Sequence, residues 1–428
     1  MIFIVILNSR MKYLTLRKKN EMVQVNFNEL DFRKVHPIEF PFAEKYIYDI
    51  DYIFFADTGI WDARQTNMFF QEAGIMLINA VNLFCSGYFD CAFYSLRQSF
   101  EISVTSLYLN ENKNVIENWN KKLSGFEQNT MVKTLKEQMD DYKELRDGLL
   151  KSYFDKLRKT MEKMNKYIHK QGFSTMYSMR NSFDGRKIYK EENLINIFTN
   201  CLKSCIGAVA VWRIVLDPMP ALLNDETIFR KTREMISEPY SDDFIDMYIG
   251  RDVFELYKQS TIYQDYYKYF NQFEEQNEGI FYITHYQVID RNKFREIEKQ
   301  MHLLTMQERV AVLFTLASNH IVRVIFESGH LYNSNIKIKG NDTSYIIGYG
   351  VYDEYFQNAD VNQPYKGANI SRFKFHKEFV TTIHNELFSE TELVAFKYIS
   401  EMLGESLQKE SDETNRLAND FLKSNKIS

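Results

Sequence analysis

The residues best suited to chemistry lie near the end of a predicted helix, in the run Met164-Asn165-Lys166-Tyr167-Ile168-His169. Asn165 and His169 are four residues apart, so a helix places them on one face. A histidine can transfer protons, and a nearby cation can stabilise charge that develops in a transition state. Lys163 and Arg158 are the candidate cations for this charge stabilisation, the cationic helpers of the site. Helical geometry turns Lys163 about a quarter of a turn away from Met164.

The same pair also has a purely structural interpretation. Asn165 and His169 fit a polar i,i+4 pair near a helix end, where a histidine interacts favourably with the helix dipole. Arg97 and Glu101 are four residues apart in another predicted helix and are candidate binding residues. Their structural interpretation is an ion pair, or a buried pair that orients the helical core. The residues by themselves leave these interpretations open.

The remaining histidines and the cysteines form no metal-binding pattern. No HxxxH, HExxH or CxxC spacing occurs, so we predict no metal site. No P-loop, GxGxxG or GxSxG occurs either, and we predict no cofactor. The cysteines lie in apolar helical stretches, which predicts reduced thiols in the core. They are Cys85, Cys91, Cys201 and Cys205.

The elements that must position the candidate residues are two long apolar segments between Asn67 and Leu109. Apolar residues recur at steps of three and four in each segment, which predicts two helices. Ser86-Gly87 separates them, and Gly87 can take the left-handed conformation that ends a helix. So short a hinge predicts an antiparallel helical hairpin.

This hairpin and the later helix together resemble the HEPN helical superfamily. The resemblance rests on Ala80, Gly87-Tyr88, Ala92, Arg97, Glu101 and the Asn165 to His169 motif. It covers residues 61–216, about a third of the chain. In active members the histidine is thought to handle a proton while an arginine stabilises charge on the scissile phosphate. The resemblance implies a metal-independent endoribonuclease of the bacterial antiviral-defence, abortive-infection or toxin type, acting as a homodimer on RNA.

The motif departs from the HEPN pattern at one position. Met164 stands where HEPN ribonucleases carry arginine, and methionine cannot replace a guanidinium that clamps a phosphate through two hydrogen bonds. Whether the chain is an enzyme is therefore left open. The alternative function is a non-enzymatic helical scaffold that binds a protein or ligand partner through its C-terminal half.

The sequence predicts three parts in a mainly α fold. Residues 1–55 are expected to be irregular, because Pro37 and Pro41 interrupt a segment without sustained periodicity. Residues 56–217 are expected to form the HEPN-like helical bundle. Asp217-Pro218-Met219-Pro220 cannot continue a helix, so a C-terminal α+β domain is expected over residues 221–428.

Several elements are predicted within the C-terminal part. Ile280 to Ile289 is rich in β-branched and aromatic residues and predicts a strand. Thr305-x-x-Glu308 predicts a capping box that opens a helix to Val324, and Ser389-x-x-Glu392 predicts a second helix start. Asn335 to Val351 alternates around Gly-Asn-Asp and predicts a hairpin.

Composition limits the cellular setting. The 53 lysines and arginines against 58 acidic residues give a net charge of −5, which provides no global attraction to nucleic acid. The short apolar N-terminal run is far from a membrane span, so we expect no membrane association and a cytoplasmic location. The expected partners are RNA, a second copy of the chain, and a protein partner for the C-terminal domain.

Overall fold

The computed structural model describes residues 37–60, 63–111, 144–177, 191–233, 237–335 and 369–424. These residues are mainly helical, and a mixed five-stranded sheet lies near the C-terminal end. The predicted fold class, mainly α with a C-terminal α+β region, is confirmed. The chain divides into two compact units that meet in sequence at Glu274 and Glu275. Residues 1–36 and the hairpin predicted after Asn335 lie outside the described residues.

The first unit is made of helices. They are α1 (Ala43–Phe55), α2 (Thr66–Cys85), α3 (Phe89–Glu111), α4 (Lys151–Ile168), α5 (Glu191–Leu216), α6 (Met219–Leu222), α7 (Glu226–Lys231), α8 (Asp242–Phe244), α9 (Arg251–Tyr257) and α10 (Thr261–Asn271). Two π-helical segments, Glu144–Leu149 and Ile245–Ile249, and a 3₁₀ turn, Phe173–Thr175, accompany them.

The predicted helical hairpin is confirmed as α2 and α3, which pack against each other. Gly87 has a φ of 85°, a backbone conformation that glycine adopts without steric cost. Phe84 near the hinge stacks on Phe198 of α5, with ring centroids 3.8 Å apart. Phe93 of α3 also packs edge-on against Phe198, so aromatic residues of three helices meet in one core.

The sequence predicts an irregular segment over residues 1–55. Residues 43–55 of that segment instead form helix α1. Ala43, Tyr46, Ile50 and Ile53 are buried at helical spacing on one face. The helix begins just after Pro41, so the proline precedes the helix and does not interrupt it.

Residues 218–274 belong to the first unit, whereas the sequence predicts a border at residues 217–220. The hydroxyl of Tyr240 donates to the carbonyl oxygen of Ala210 at 3.3 Å, and that of Tyr257 donates to Ile214 at 2.7 Å. Both acceptors lie in α5. The two prolines end α5, but the chain then folds back and packs on it.

Helices α2 and α5 are long and apolar enough to cross a membrane by length and composition alone. Within the first unit both bury much of this apolar surface in the shared core, where Phe84 meets Phe198. Buried core helices of large bundles have the same composition.

The second unit combines helices with the sheet. Its helices are α11 (Glu278–Tyr286), α12 (Phe294–Lys299), α13 (Met306–Ala317) and α14 (Glu390–Ser424). Its strands are β1 (Val288–Ile289), β2 (Ile321–Phe326), β3 (Leu331–Ser334), β4 (Asn369–Phe375) and β5 (Glu378–His384). The strand order is β1-β3-β2-β5-β4, with β1 parallel to β3 and the other pairs antiparallel.

Helices α13 and α14 cover this sheet with aromatic side chains. The rings of Phe314 in α13 and Phe396 in α14 lie 4.9 Å apart, and Phe373 of β4 packs on both. The predicted capping box of Thr305 and Glu308 is confirmed at the start of α13. Ser389 caps α14 in the same way with Glu392.

Two predicted elements of this unit are wrong. The strand predicted over residues 280–289 is helix α11 up to Tyr286, and only Val288 and Ile289 are extended. The Asn277 side chain accepts from the Ile280 backbone N–H and starts the helix, which overrides β propensity. The helix predicted to reach Val324 ends at Ala317, because the following β-branched run forms the fully buried β2.

Candidate functional site

Arg97 of α3 and Asn165 of α4 meet directly. The Nη1 atom of Arg97 donates to Oδ1 of Asn165 at 3.0 Å, and its Nε donates to Oε1 of Glu101 at 2.7 Å. The candidate motif residue and the two candidate binding residues therefore form one hydrogen-bonded chain across two helices. In the described part of the protein, the Nη2 group of Arg97 makes no hydrogen bond.

The packing of α4 against α3 and α5 explains this geometry. The ring of Tyr167 stacks on Phe93 of α3 with centroids 4.4 Å apart. Met164 is fully buried, and its sulfur lies 3.9 Å from the thiol of Cys205 in α5. Successive helical residues are turned about 100° apart, so Asn165 faces α3 when Met164 faces α5.

His169 lies at the open end of α4. It is the C-cap residue, and its backbone N–H donates to the carbonyl oxygen of Asn165 at 2.9 Å. Its side chain is exposed. An imidazole is thus available to solvent one helical turn beyond the Asn165 and Arg97 contact.

The two predicted cationic helpers are placed elsewhere. The Nη1 atom of Arg158 lies 3.6 Å from Glu162 in an exposed ion pair, and Lys163 is exposed. In the described residues neither side chain hydrogen-bonds to Asn165. The cation that does is Arg97, which lies 68 residues earlier in the chain. No spacing rule connects residues at that separation.

A second polar cluster fixes the turn that follows His169. The Nζ of Lys170 lies 3.1 Å from Oδ2 of Asp90, and the Tyr177 hydroxyl donates to Oδ1 of the same carboxylate. Lys170 also lies over the Tyr177 ring, 4.2 Å from its centroid, and has a left-handed φ of 51°. We call these three residues the Asp90 latch.

Burial and hydrogen bonding shift the pKa of Asp90 in opposite directions in the Asp90 latch. Burial alone would raise the pKa of Asp90, but the hydrogen bonds from Tyr177 and Lys170 outweigh it and lower that pKa. Burial and the Asp90 carboxylate both raise the pKa of Tyr177. Asp90 and Tyr177 are 87 residues apart, and sequence reasoning missed both. The latch ties the segment after α4 to the start of α3.

The arrangement offers two separate chemical functions within one helical turn of Asn165. His169 can transfer a proton, and Arg97 can donate hydrogen bonds to an anion through Nη2, which has no hydrogen-bond partner among the described residues. Among the described residues, no group of three or more histidine, cysteine or acidic side chains could hold a metal ion.

Searches of protein families, curated proteins and solved structures found no match to this chain. The resemblance to the HEPN superfamily therefore stays a prediction from the residues. The contacts of Arg97, Asn165 and Glu101 are the structural observations from which a function can be inferred.

Proposed function

We propose that the first unit is a HEPN-like, metal-independent endoribonuclease whose arginine is supplied by Arg97 of α3 and not by position 164. One observation carries this proposal: Nη1 of Arg97 lies 3.0 Å from Oδ1 of Asn165, inside the motif that contains His169. This contact supports Arg97 as the guanidinium that the motif lacks at position 164.

The chemistry follows from the two side chains. His169 accepts the proton of a ribose 2′-hydroxyl while the oxygen attacks the adjacent phosphorus. The bond from phosphorus to the 5′ oxygen breaks, which leaves a 2′,3′-cyclic phosphate and a 5′-hydroxyl end. Arg97 stabilises the negative charge that develops on the phosphoryl oxygens. A second copy of His169, in the homodimer expected from the resemblance, gives a proton to the leaving oxygen.

The surface beside the site suits unpaired RNA. Tyr94 lies one helical turn before Arg97 and is 57% exposed, and Phe173 lies four residues after His169 and is 75% exposed. Exposed aromatic rings stack on unpaired bases, at about 1–3 kcal/mol per base. Tyr94 and Phe173 are the proposed base-stacking residues.

The test is cleavage of a fluorescently labelled single-stranded RNA by the purified full-length protein in the presence of EDTA. We expect cyclic-phosphate products from the wild type. His169→Ala should lower the rate by about 10²–10⁴-fold, the usual contribution of a general base. Arg97→Met should lower it by about 10²–10³-fold through loss of charge stabilisation.

The matched control is Arg158→Met, which removes an arginine of α4 that forms an exposed ion pair with Glu162. Its rate should stay within twofold of the wild type. Circular dichroism of each variant shows whether the fold is retained. Equal rates for Arg97→Met and the wild type would overturn the assignment of Arg97, and intact RNA with the wild-type protein would overturn the proposal.

In a bacterial host, the proposed defence role predicts that induced wild-type protein slows growth and fragments total RNA, while His169→Ala does neither.

The second candidate function is a scaffold that binds a protein partner. It is favoured by exposed apolar side chains spaced four residues apart on α14, at Val394, Tyr398 and Met402. Normal growth with intact RNA in both strains favours this scaffold.

A further inference from the structure

The second unit contains a serine and a histidine in contact. The Oγ atom of Ser371 in β4 lies 2.9 Å from Nε2 of His384 in β5. On the other side of the ring, Nδ1 lies 2.7 Å from the backbone carbonyl oxygen of Glu386. The three groups form a line of hydroxyl, imidazole and carbonyl.

This geometry assigns the protons on the ring. A backbone carbonyl oxygen only accepts hydrogen bonds, so Nδ1 of His384 must carry a proton. In a neutral imidazole Nε2 is then an acceptor, and the Ser371 hydroxyl donates to it. A hydroxyl that donates to an oriented imidazole has the arrangement of an activated nucleophile.

The surroundings of His384 favour the neutral form. Burial lowers the pKa of His384 below its ordinary value of 6.5, opposed by the hydrogen bond to Glu386. The neighbouring charged groups oppose each other as well, because His320 lowers this pKa and Glu392 raises it. The lowered pKa and the hydrogen bond to the carbonyl oxygen of Glu386 both agree with a neutral imidazole that accepts at Nε2.

We propose that Ser371 is a nucleophile, that His384 is its general base, and that this pair forms an acyl-transfer site independent of the site on α3 and α4. The Ser371 oxygen attacks an ester carbonyl carbon while Nε2 of His384 takes the hydroxyl proton. The bond to the leaving alcohol breaks, and the alcohol takes that proton. Water then attacks the acyl carbon, the bond to the Ser371 oxygen breaks, and His384 passes one proton of that water to the Ser371 oxygen while the carboxylic acid leaves.

The position of Ser371 supports access, and its neighbours indicate the substrate class. Ser371 is partly exposed on β4, an edge strand of the described sheet. The ring of Phe388 stacks on His384 with centroids 3.8 Å apart, and the next residue back, Leu387, is 80% exposed. The apolar surface beside the pair fits an ester with a short apolar acyl group.

The test is reaction of the folded full-length protein with a fluorophosphonate probe, followed by peptide mass mapping. Wild-type protein should carry the label on Ser371. Ser371→Ala should carry none, and His384→Gln should react at least about 10²-fold more slowly, as loss of a general base requires. The matched control is Ser406→Ala, which removes an exposed serine of the same unit.

Two further measurements keep the proposal testable if His384→Gln fails to fold. The wild-type labelling rate should rise through an apparent pKa below 6.5 and then stay constant up to pH 8, which a purely structural histidine would not produce. Ser371→Cys should react with iodoacetamide faster than the exposed native Cys91. Absence of label from folded wild-type protein, or the same labelling of folded Ser371→Ala, overturns the proposal.

Discussion

At the scale of single residues, Met164 fills a buried position, whereas Arg97 places a charge where solvent can reach it. Position 164 is fully buried against Cys205, so it suits an apolar side chain. The Arg97 side chain is 32% exposed and hydrogen-bonds to Glu101 and Asn165, so it can bind an anion and keep part of its hydration. Burial gives a reason for a methionine at position 164, and Arg97 supplies the guanidinium in the function that we propose.

Restoring the motif arginine should therefore damage the protein. We expect Met164→Arg to lower the free energy of unfolding by about 3–5 kcal/mol, because it leaves a charge buried without a partner. It should also fail to accelerate RNA cleavage. Urea unfolding and the cleavage assay measure both effects.

Lys163→Arg is the control for that change, because it places an arginine at an exposed position one residue away. Surface substitutions of this kind usually change stability by less than about 0.5 kcal/mol. A stable Met164→Arg variant that cleaves RNA faster than the wild type would show that position 164 faces the site.

At the scale of elements, the site depends on how the end of α4 is fastened to the start of α3. Phe93 and Tyr167 pack the two helices together, and the Asp90 latch holds the turn beyond His169. The left-handed conformation of Lys170 is uncommon for a residue with a side chain, so the contacts of the latch must maintain it. The latch is expected to position His169 and not to take part in chemistry.

The Asp90 latch predicts a pH-dependent contribution to stability. The folded-state pKa of Asp90 is lower than its unfolded value of 3.8, so the contribution is present above that value and is lost as pH falls through the folded pKa. The stability difference between wild type and Asp90→Asn should be largest above about pH 5 and should shrink below pH 3.8. Urea unfolding across this pH range measures it.

Asp155→Asn is the matched control, since Lys151 lowers the pKa of Asp155 in a pair on the helix surface. Its effect should be smaller and should vanish in high salt, because exposed ion pairs are screened. An Asp90→Asn effect that stays constant from pH 7 to pH 3 would contradict the role given to the latch.

At the scale of the whole molecule, each of the two compact units has its own core. In the first unit, Gly207 of α5 lies where an added Cβ would be 2.0 Å from the Tyr248 carbonyl oxygen. In the second unit, Phe314 is fully buried in an aromatic cluster with Phe373 and Phe396. A substitution in one core should therefore act on its own unit.

We expect calorimetry of the full-length protein to resolve two unfolding transitions. Gly207→Ala should lower the stability of one unit by about 1–3 kcal/mol through overpacking against backbone. Phe314→Ala should lower that of the other by about 3–5 kcal/mol through the cavity it leaves. Gly148→Ala is the control, because an added Cβ there meets no atom of the described residues within 4 Å. A single transition that both substitutions shift equally would contradict independent cores.

Local signals were sufficient for much of the fold. The α2 and α3 hairpin follows from apolar spacing and Gly87, and the starts of α13 and α14 follow from capping residues three positions apart. Prediction failed where local preference and packing disagreed. Residues 280–286 favour a strand by composition, yet the Asn277 cap and a buried face at Ile280 and Ile283 make them helical.

The sequence by itself determined which side chains are available: a histidine and an asparagine four residues apart, a nearby Arg97 and Glu101 pair, and no arginine at position 164. Only the tertiary structure decided which of them meet. Arg97 reaches Asn165 across 68 residues, and Ser371 reaches His384 across a strand pair. Periodicity describes one element at a time, whereas these contacts depend on how elements pack. For that reason, sequence spacing does not predict which residues pair in either proposed site.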